Sequence, residues 1–223
     1  MKNDSLTERR ARGRPRGFDS TKALDQALEV FWRLGYEGAS IADLTEAMGI
    51  AAPSLYAAFG SKAELYRQVL ERYRASQGAS TPRALTEEPT ARAAMERILR
   101  EAARGFSNRE HPRGCMISTA VLTCAEENQP VAEHVATLRA GALAALRTRL
   151  EQGIAEGELP AGTDPAALAR YFGAIIQGMS VQAQDGASEA ELLAIVEIAM
   201  RAWDKVARKS SSPRTRKGPA PHV

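Results

Sequence analysis

The chain of 223 residues is poor in the groups that build most chemical sites. It holds two cysteines, Cys115 and Cys124, and three histidines, His111, His134 and His222. Two cysteines make no disulfide framework, which points to a reducing compartment and hence the cytoplasm. Aromatic residues are only 5% of the chain. No apolar run approaches the ~20 residues that a membrane-spanning helix needs, so no membrane partner is expected. The opening M-K-N-D-S-L-T-E-R-R lacks the apolar stretch of a secretory signal. No G-x-S-x-G, H-E-x-x-H or phosphate-binding glycine loop is present. Cys115 and Cys124 would face opposite sides of a shared helix. Pro112 and Gly114 interrupt any helical alignment of His111 with Cys115. Catalysis, a cofactor and a metal site are therefore not expected. An active site assembled from distant residues is the weaker alternative.

Strand signals are missing as well, since apolar residues recur at three and four positions rather than two. With 44% apolar residues the chain can bury a sizeable core. The expected fold is all-α. Asp19 or Ser20 caps a first helix to about Leu34, with Leu24, Ala27, Leu28, Phe31 and Trp32 on one stripe and Gly35 at its end. Ser40 caps a short second helix, with Asp43 as the reciprocal acceptor and Ile41, Leu44, Ala47 and Met48 inward. Gly49 turns the chain in a left-handed conformation. Pro53 suits the first turn of a third short helix, which buries Leu55 and Phe59. Ser61 and Glu64 form a capping-box pattern for a fourth helix through Leu65, Val69, Leu70 and Tyr73 to about Ser76.

Residues 77–89 are rich in Gly, Ser, Thr and Pro and read as a linker. Beyond them Thr90–Phe106 carries Ala94, Ile98, Ala102 and Phe106 at steps of four. Cys115–Ala125 reads as a short apolar helix. Pro130 opens a long helix, with Val131, Val135, Leu138, Ala142, Ala145 and Leu146 inward. Asp164-Pro165 and Ser188-x-x-Glu191 open the last two helices, the most apolar of the chain. The division expected is a basic arm (1–17), a helix-turn-helix head (18–76), the linker (77–89), a helical domain (90–208) and a basic tail (209–223).

Charge is uneven along this layout. The net +3 combines an arm at +4, a segment 205–223 at +6 and a body, 18–204, at −7. Basic ends beside a helix-turn-helix favour a polyanion such as DNA. In the arm, Arg12, Arg14 and Arg16 alternate with Gly and Pro, resembling the AT-hook core, an extended strand for narrow minor grooves. A solvated basic arm is the plain alternative.

The run G-Y-E-G-A-S-I-A-D-L-T-E-A-M-G-I-A-A-P-S-L-Y-A-A-F-G-S-K-A-E-L resembles the DNA-binding domain of the TetR family of transcriptional regulators, over about residues 18–75 without a gap. The resemblance implies a homodimeric, ligand-responsive regulator of a double-stranded DNA operator, most simply a repressor. Its third helix would enter the major groove, with Ser54 at a base edge or phosphate. Tyr56, Lys62 and Ser40 would meet phosphates, and Thr45, Ala51 and Ala52 complete the DNA-facing set. Tyr56 beside Leu55 could instead be core. Alanine at 51 and 52 departs from the polar residues common there and can offer a base only apolar contact.

The same resemblance implies a small-molecule cavity in the C-terminal domain, for which Phe106, Cys115, Met116, Val121, Leu143, Tyr171 and Ile175 are candidates. Some relatives with Gly-Cys at a similar place sense electrophiles or oxidants. A thiol opening a helix would gain from its dipole, and a buried structural cysteine is the alternative. Dimerisation is expected through the last two helices, with Phe172, Ile176, Met179, Leu192, Val196 and Trp203 at the interface. Two rival readings are a helical binding or enzymatic domain whose hairpin is merely structural, and an architectural DNA protein without an effector.

Overall fold

The computed structural model describes residues 18–208. The arm arginines Arg12, Arg14 and Arg16 lie outside the described residues. Among those described, the chain is all helix and turn with no strand. The helices are α1 (Ser20–Gly38), α2 (Ile41–Met48), α3 (Ala52–Phe59), α4 (Lys62–Ala75), α5 (Ser80–Glu87), α6 (Ala91–Ser107), α7 (Gln129–Ala155), α8 (Pro165–Gln184) and α9 (Glu189–Arg208).

The N-terminal starts follow from their caps. The Asp19 carboxylate accepts from the N–H groups of Thr21 and Lys22. Ser40 and Asp43 form the reciprocal box at α2. At α4 only half of the expected box forms. Ser61 accepts from the Glu64 N–H, while the Glu64 carboxylate pairs with Arg67. α1 is bent at Gly35, whose φ of 70° ends the regular helix where expected and turns Tyr36 back into the core.

The head is tied together by aromatic rings. Phe31 meets Tyr66 edge-on at 4.9 Å, Tyr36 lies 5.1 Å from Tyr66, and Trp32 meets Tyr73 edge-on at 5.0 Å, so α1 and α4 are locked. Such pairs add about 0.5–1.5 kcal/mol each beyond burial. Phe18 against Phe59 fixes α3 to the start of α1.

Three expectations change here. Residues 77–89 are not an open linker. They form a 3-10 turn, Gln77–Ala79, then α5, where Pro82 sits in the first turn and Thr86 bonds back to the Pro82 carbonyl. Ala84 of α5 is fully buried in the second core. Cys115–Ala125 is not a helix but a run of turns, because its polar backbone is claimed by other elements. The Cys115 N–H donates to Ser180 Oγ at 2.8 Å, and Arg139 donates to the carbonyls of Ile117 and Ala120. On α7, Ala142 and Ala145 are exposed rather than inward.

Two hydrophobic cores result, and they do not divide at the expected linker. The first holds the head together with Met116, Val131 and Val135; the second holds α5, α6, α8, α9 and the distal part of α7 at Leu146 and Leu150. The start of α7 is thus embedded with the reading head and its end with the helical domain. One continuous helix, α7, spans both cores.

Candidate functional site

α3 presents two faces. Leu55 and Phe59 are buried, whereas Pro53, Ser54, Tyr56 and Ala57 are exposed. Tyr56 is 48% exposed, which removes core packing as its role. Ala51 precedes α3 without any side-chain cap. The Cα atoms of Ala51 and Ala52 therefore border a helix start whose first N–H groups keep no side-chain acceptor. Gly49, at φ 63°, makes the tight turn that sets α3 against α2.

Other candidates sit around this face with their hydrogen bonds partly committed. Ser40 Oγ donates to the Asp43 carboxylate at 2.6 Å, so the start of α2 already carries its own anion. Thr45 Oγ1 donates to the carbonyl of Ile41 at 2.8 Å. Lys62, the first residue of α4, holds its ammonium 4.6 Å from the centre of the Tyr36 ring. Partial burial there pulls the Lys62 pKa below its ordinary value, with the nearby Glu37 charge opposing the shift.

Glu37 was not visible as a functional residue in the sequence. Its only signal is an acid inside the Gly35–Gly38 turn, three positions before the Ser40 cap. Its Oε1 accepts from the Ala125 N–H at 3.1 Å and from Asn128 Nδ2 at 2.9 Å. The Asn128 bond, then the Ala125 bond, holds its carboxyl below the usual range.

A second site opens between the head and the helical domain. A cleft of about 750 Å³ is lined by α1 residues including Glu29, Trp32 and Arg33, by Arg109 and His111 just after α6, and by Cys115, Met116 and Val121 of the turn segment. Its size is within the range of small-molecule sites. His111 stacks on Trp32 at 5.8 Å and its Nδ1 lies 3.2 Å from Glu29 Oε1. Tyr73 O–H donates to Cys115 Sγ at 3.4 Å. Burial first, and the adjacent thiol second, push the Tyr73 phenol well above its ordinary pKa, so it stays protonated. Gly114, at φ 80°, lies so near α8 that a Cβ would stand 2.8 Å from the Ser180 carbonyl oxygen.

Of the seven effector candidates, Cys115, Met116 and Val121 come together at this cleft. Phe106, Leu143 and Ile175 pack against the second core instead, and Tyr171 sits on the outer face of α8. Cys115 has no helix to open, so the dipole expected there has no source. Among the described residues, no three His, Cys, Asp or Glu side chains gather as metal ligands.

The expected dimer residues need correction. Phe172, Met179, Leu192, Val196 and Trp203 are at most 2% exposed within the single chain, and Ile176 packs against the same core. The five buried ones hold α6, α8 and α9 together and leave no surface for a second copy, whereas Ile176 is half-buried. What faces outward is a stripe of Tyr171, Ala174 and Val181 on α8, with Ala194 and Ile198 on α9.

Known proteins share this arrangement. The family described as bacterial regulatory proteins, tetR family, matches residues 23–69, and the tetracyclin repressor-like C-terminal domain matches residues 91–199. The HTH-type transcriptional repressor ComR of Escherichia coli is 36% identical over 201 residues, 90% of this chain and 96% of that protein. The chain belongs to the TetR family of transcriptional regulators. A solved structure of the TetR-family regulator CifR, a cysteine mutant complexed with 26-bp operator DNA, is 45% identical with a TM-score of 0.83. It matches 85% of this chain and all of that one. A regulator of the same family from Rhodococcus sp. RHA1 is 40% identical, matching 85% and 99% of the two chains at a TM-score of 0.55. In this TetR-family chain no helix is long and apolar enough to cross a membrane, among the described residues.

Proposed function

We propose that the protein is a homodimeric, cytoplasmic repressor that α3 anchors in the major groove and that a small molecule releases from its operator. The observation carrying this reading is the exposed face of α3. Ser54 and Tyr56 are exposed on a helix clamped by Leu55 and Phe59, and Lys62 opens the next helix. That is what a reading helix requires, since side chains must reach base edges and phosphates from a rigid support. Likeness to ComR, a named repressor, and to CifR, solved on operator DNA, supports the same role.

The alanine-rich α3 reads few bases directly. Tyr56 and Lys62 position the helix on phosphates, Ser54 contributes base contact, and Ala51, Ala52 and Ala57 allow close apolar approach to thymine methyls. Arg12, Arg14 and Arg16 add minor-groove contact from the arm. The effector site is the cleft around Cys115, where a ligand would bear on α1 and, through Tyr73, on α4. Release follows from linkage: the effector prefers a geometry that the operator does not. The second copy docks on the outer stripes of α8 and α9.

Footprinting on DNA upstream of the gene, with and without a metabolite panel, tests this reading. A protected two-fold site that one class of compound uncovers is expected. No protection at low salt would contradict it.

A further inference from the structure

We infer that Glu37 is a positioning residue for operator binding, a negative charge parked on Ala125 and Asn128 so that the neighbouring Lys62 is left for DNA. The inference rests on the DNA-binding reading of Lys62 above.

Glu37 stands in the short turn between the bend at Gly35 and the Ser40 cap of α2. That turn flanks the surface assigned to DNA. A carboxylate in such a place opposes a phosphate backbone, yet this one is exposed and charged. What restrains it is not in the head. Both hydrogen bonds come from residues about 90 positions away, the Ala125 N–H and the Asn128 side chain, at the entry to α7. Its alternative partner is at hand. Tyr36, the preceding residue, holds Lys62 against its ring at 4.6 Å, and the Glu37 and Lys62 charges influence one another without forming an ion pair. A carboxylate freed from Asn128 would move toward this ammonium and neutralise a phosphate contact.

The bond at Asn128 is placed to report on the helical domain. Val131 and Val135, in the first two turns of α7, lie in the reading head's core, while Leu146 and Leu150 lie in the other. A shift or rotation of α7 that disturbs the packing of Val131 and Val135 in the head would move Asn128 relative to Glu37. The charge available to DNA at Lys62 then depends on the position of α7, with no contact between effector and DNA-binding helix required.

The test is a double-mutant cycle on the full-length protein. Its probe is a duplex that the wild type selects from a random-sequence pool, and binding is read by fluorescence anisotropy at low and high salt. Asn128→Ala should weaken binding about two- to fivefold, the scale of an exposed charge interaction, and the deficit should shrink at high salt. Glu37→Gln keeps an acceptor for both bonds and removes the charge, so it should tighten binding. In the Glu37→Gln background, Asn128→Ala should have no further effect. Asn128→Asp, which keeps the size and repels Glu37, should weaken binding as Asn128→Ala does and serves if the alanine variant unfolds. Wild-type affinity in both Asn128 variants, or an equal deficit with and without the Glu37 charge, would overturn the proposal. Failure of the wild type to select any DNA would instead remove the DNA-binding reading on which it rests.

Discussion

Tyr73 of α4 donates its hydroxyl to Cys115 Sγ at 3.4 Å, joining the last helix of the reading head to the segment that lines the cleft. A group added to that sulfur breaks its contact with a ring that also packs edge-on against Trp32. Alkylation of Cys115 should therefore weaken operator binding. Cys115→Ser should bind DNA and ignore the reagent, and Cys124, whose Sγ faces Gln129 rather than Tyr73, should not transmit its own modification. Anisotropy titrations before and after N-ethylmaleimide check this; unaltered affinity after full labelling would exclude the sulfur as a sensor.

The phosphate contacts are separable by salt. Lys62→Ala should weaken binding across sequences and reduce the slope of log K against log salt by about 1. Tyr56→Phe removes only a hydroxyl; it should cost about 1 kcal/mol with the slope unchanged. A full salt series on both variants distinguishes charge from hydrogen bonding.

The capping carboxylates set an acid limit. The Asp43 carboxyl is held below its ordinary pKa by the Ser40 hydroxyl first and the Ser40 N–H second, and Glu191 by the equivalent groups of Ser188. A depressed folded pKa means stability that is fully present above the unfolded carboxylate pKa, about 4, and lost as pH falls through the lower folded value. Thermal midpoints measured from pH 7 to pH 2.5 should fall in that window. Asp43→Asn should lower the midpoint at pH 7 and flatten the acid limb.

Core and interface are distinguishable by mutation. Trp203→Ala, inside the protomer, should destabilise the fold by about 3–5 kcal/mol. Ile198→Glu, on the exposed stripe of α9, should leave the monomer folded and abolish the dimer. Sedimentation and thermal unfolding together read the two effects.

The sequence made the head legible because local chemistry decides it. Ser40, Gly49, Pro53 and Ser61 announce helix ends within three residues of themselves. The turn segment was opaque for the opposite reason. Cys115–Ala125 carries helix-like apolar spacing, but Ser180 and Arg139, far along the chain, take its backbone groups. The residues expected at the dimer face are mostly core residues because apolar spacing marks burial without saying against what. Large apolar side chains occur on both sides: Phe172 and Trp203 fill the protomer, while Val181 and Ile198 stay exposed, and apolar spacing alone does not separate the two sets. Glu37 was invisible because its partners lie at the entry to α7, which no local pattern connects to it.

The measurement closest to the central claim is operator affinity of wild type and Ser54→Glu on the DNA upstream of the gene, at low salt. The account predicts saturable binding by the wild type to a two-fold site. It predicts loss of that site when a carboxylate replaces Ser54 on the exposed face of α3, with the thermal midpoint unchanged. Equal binding by both proteins would show that α3 does not read the DNA.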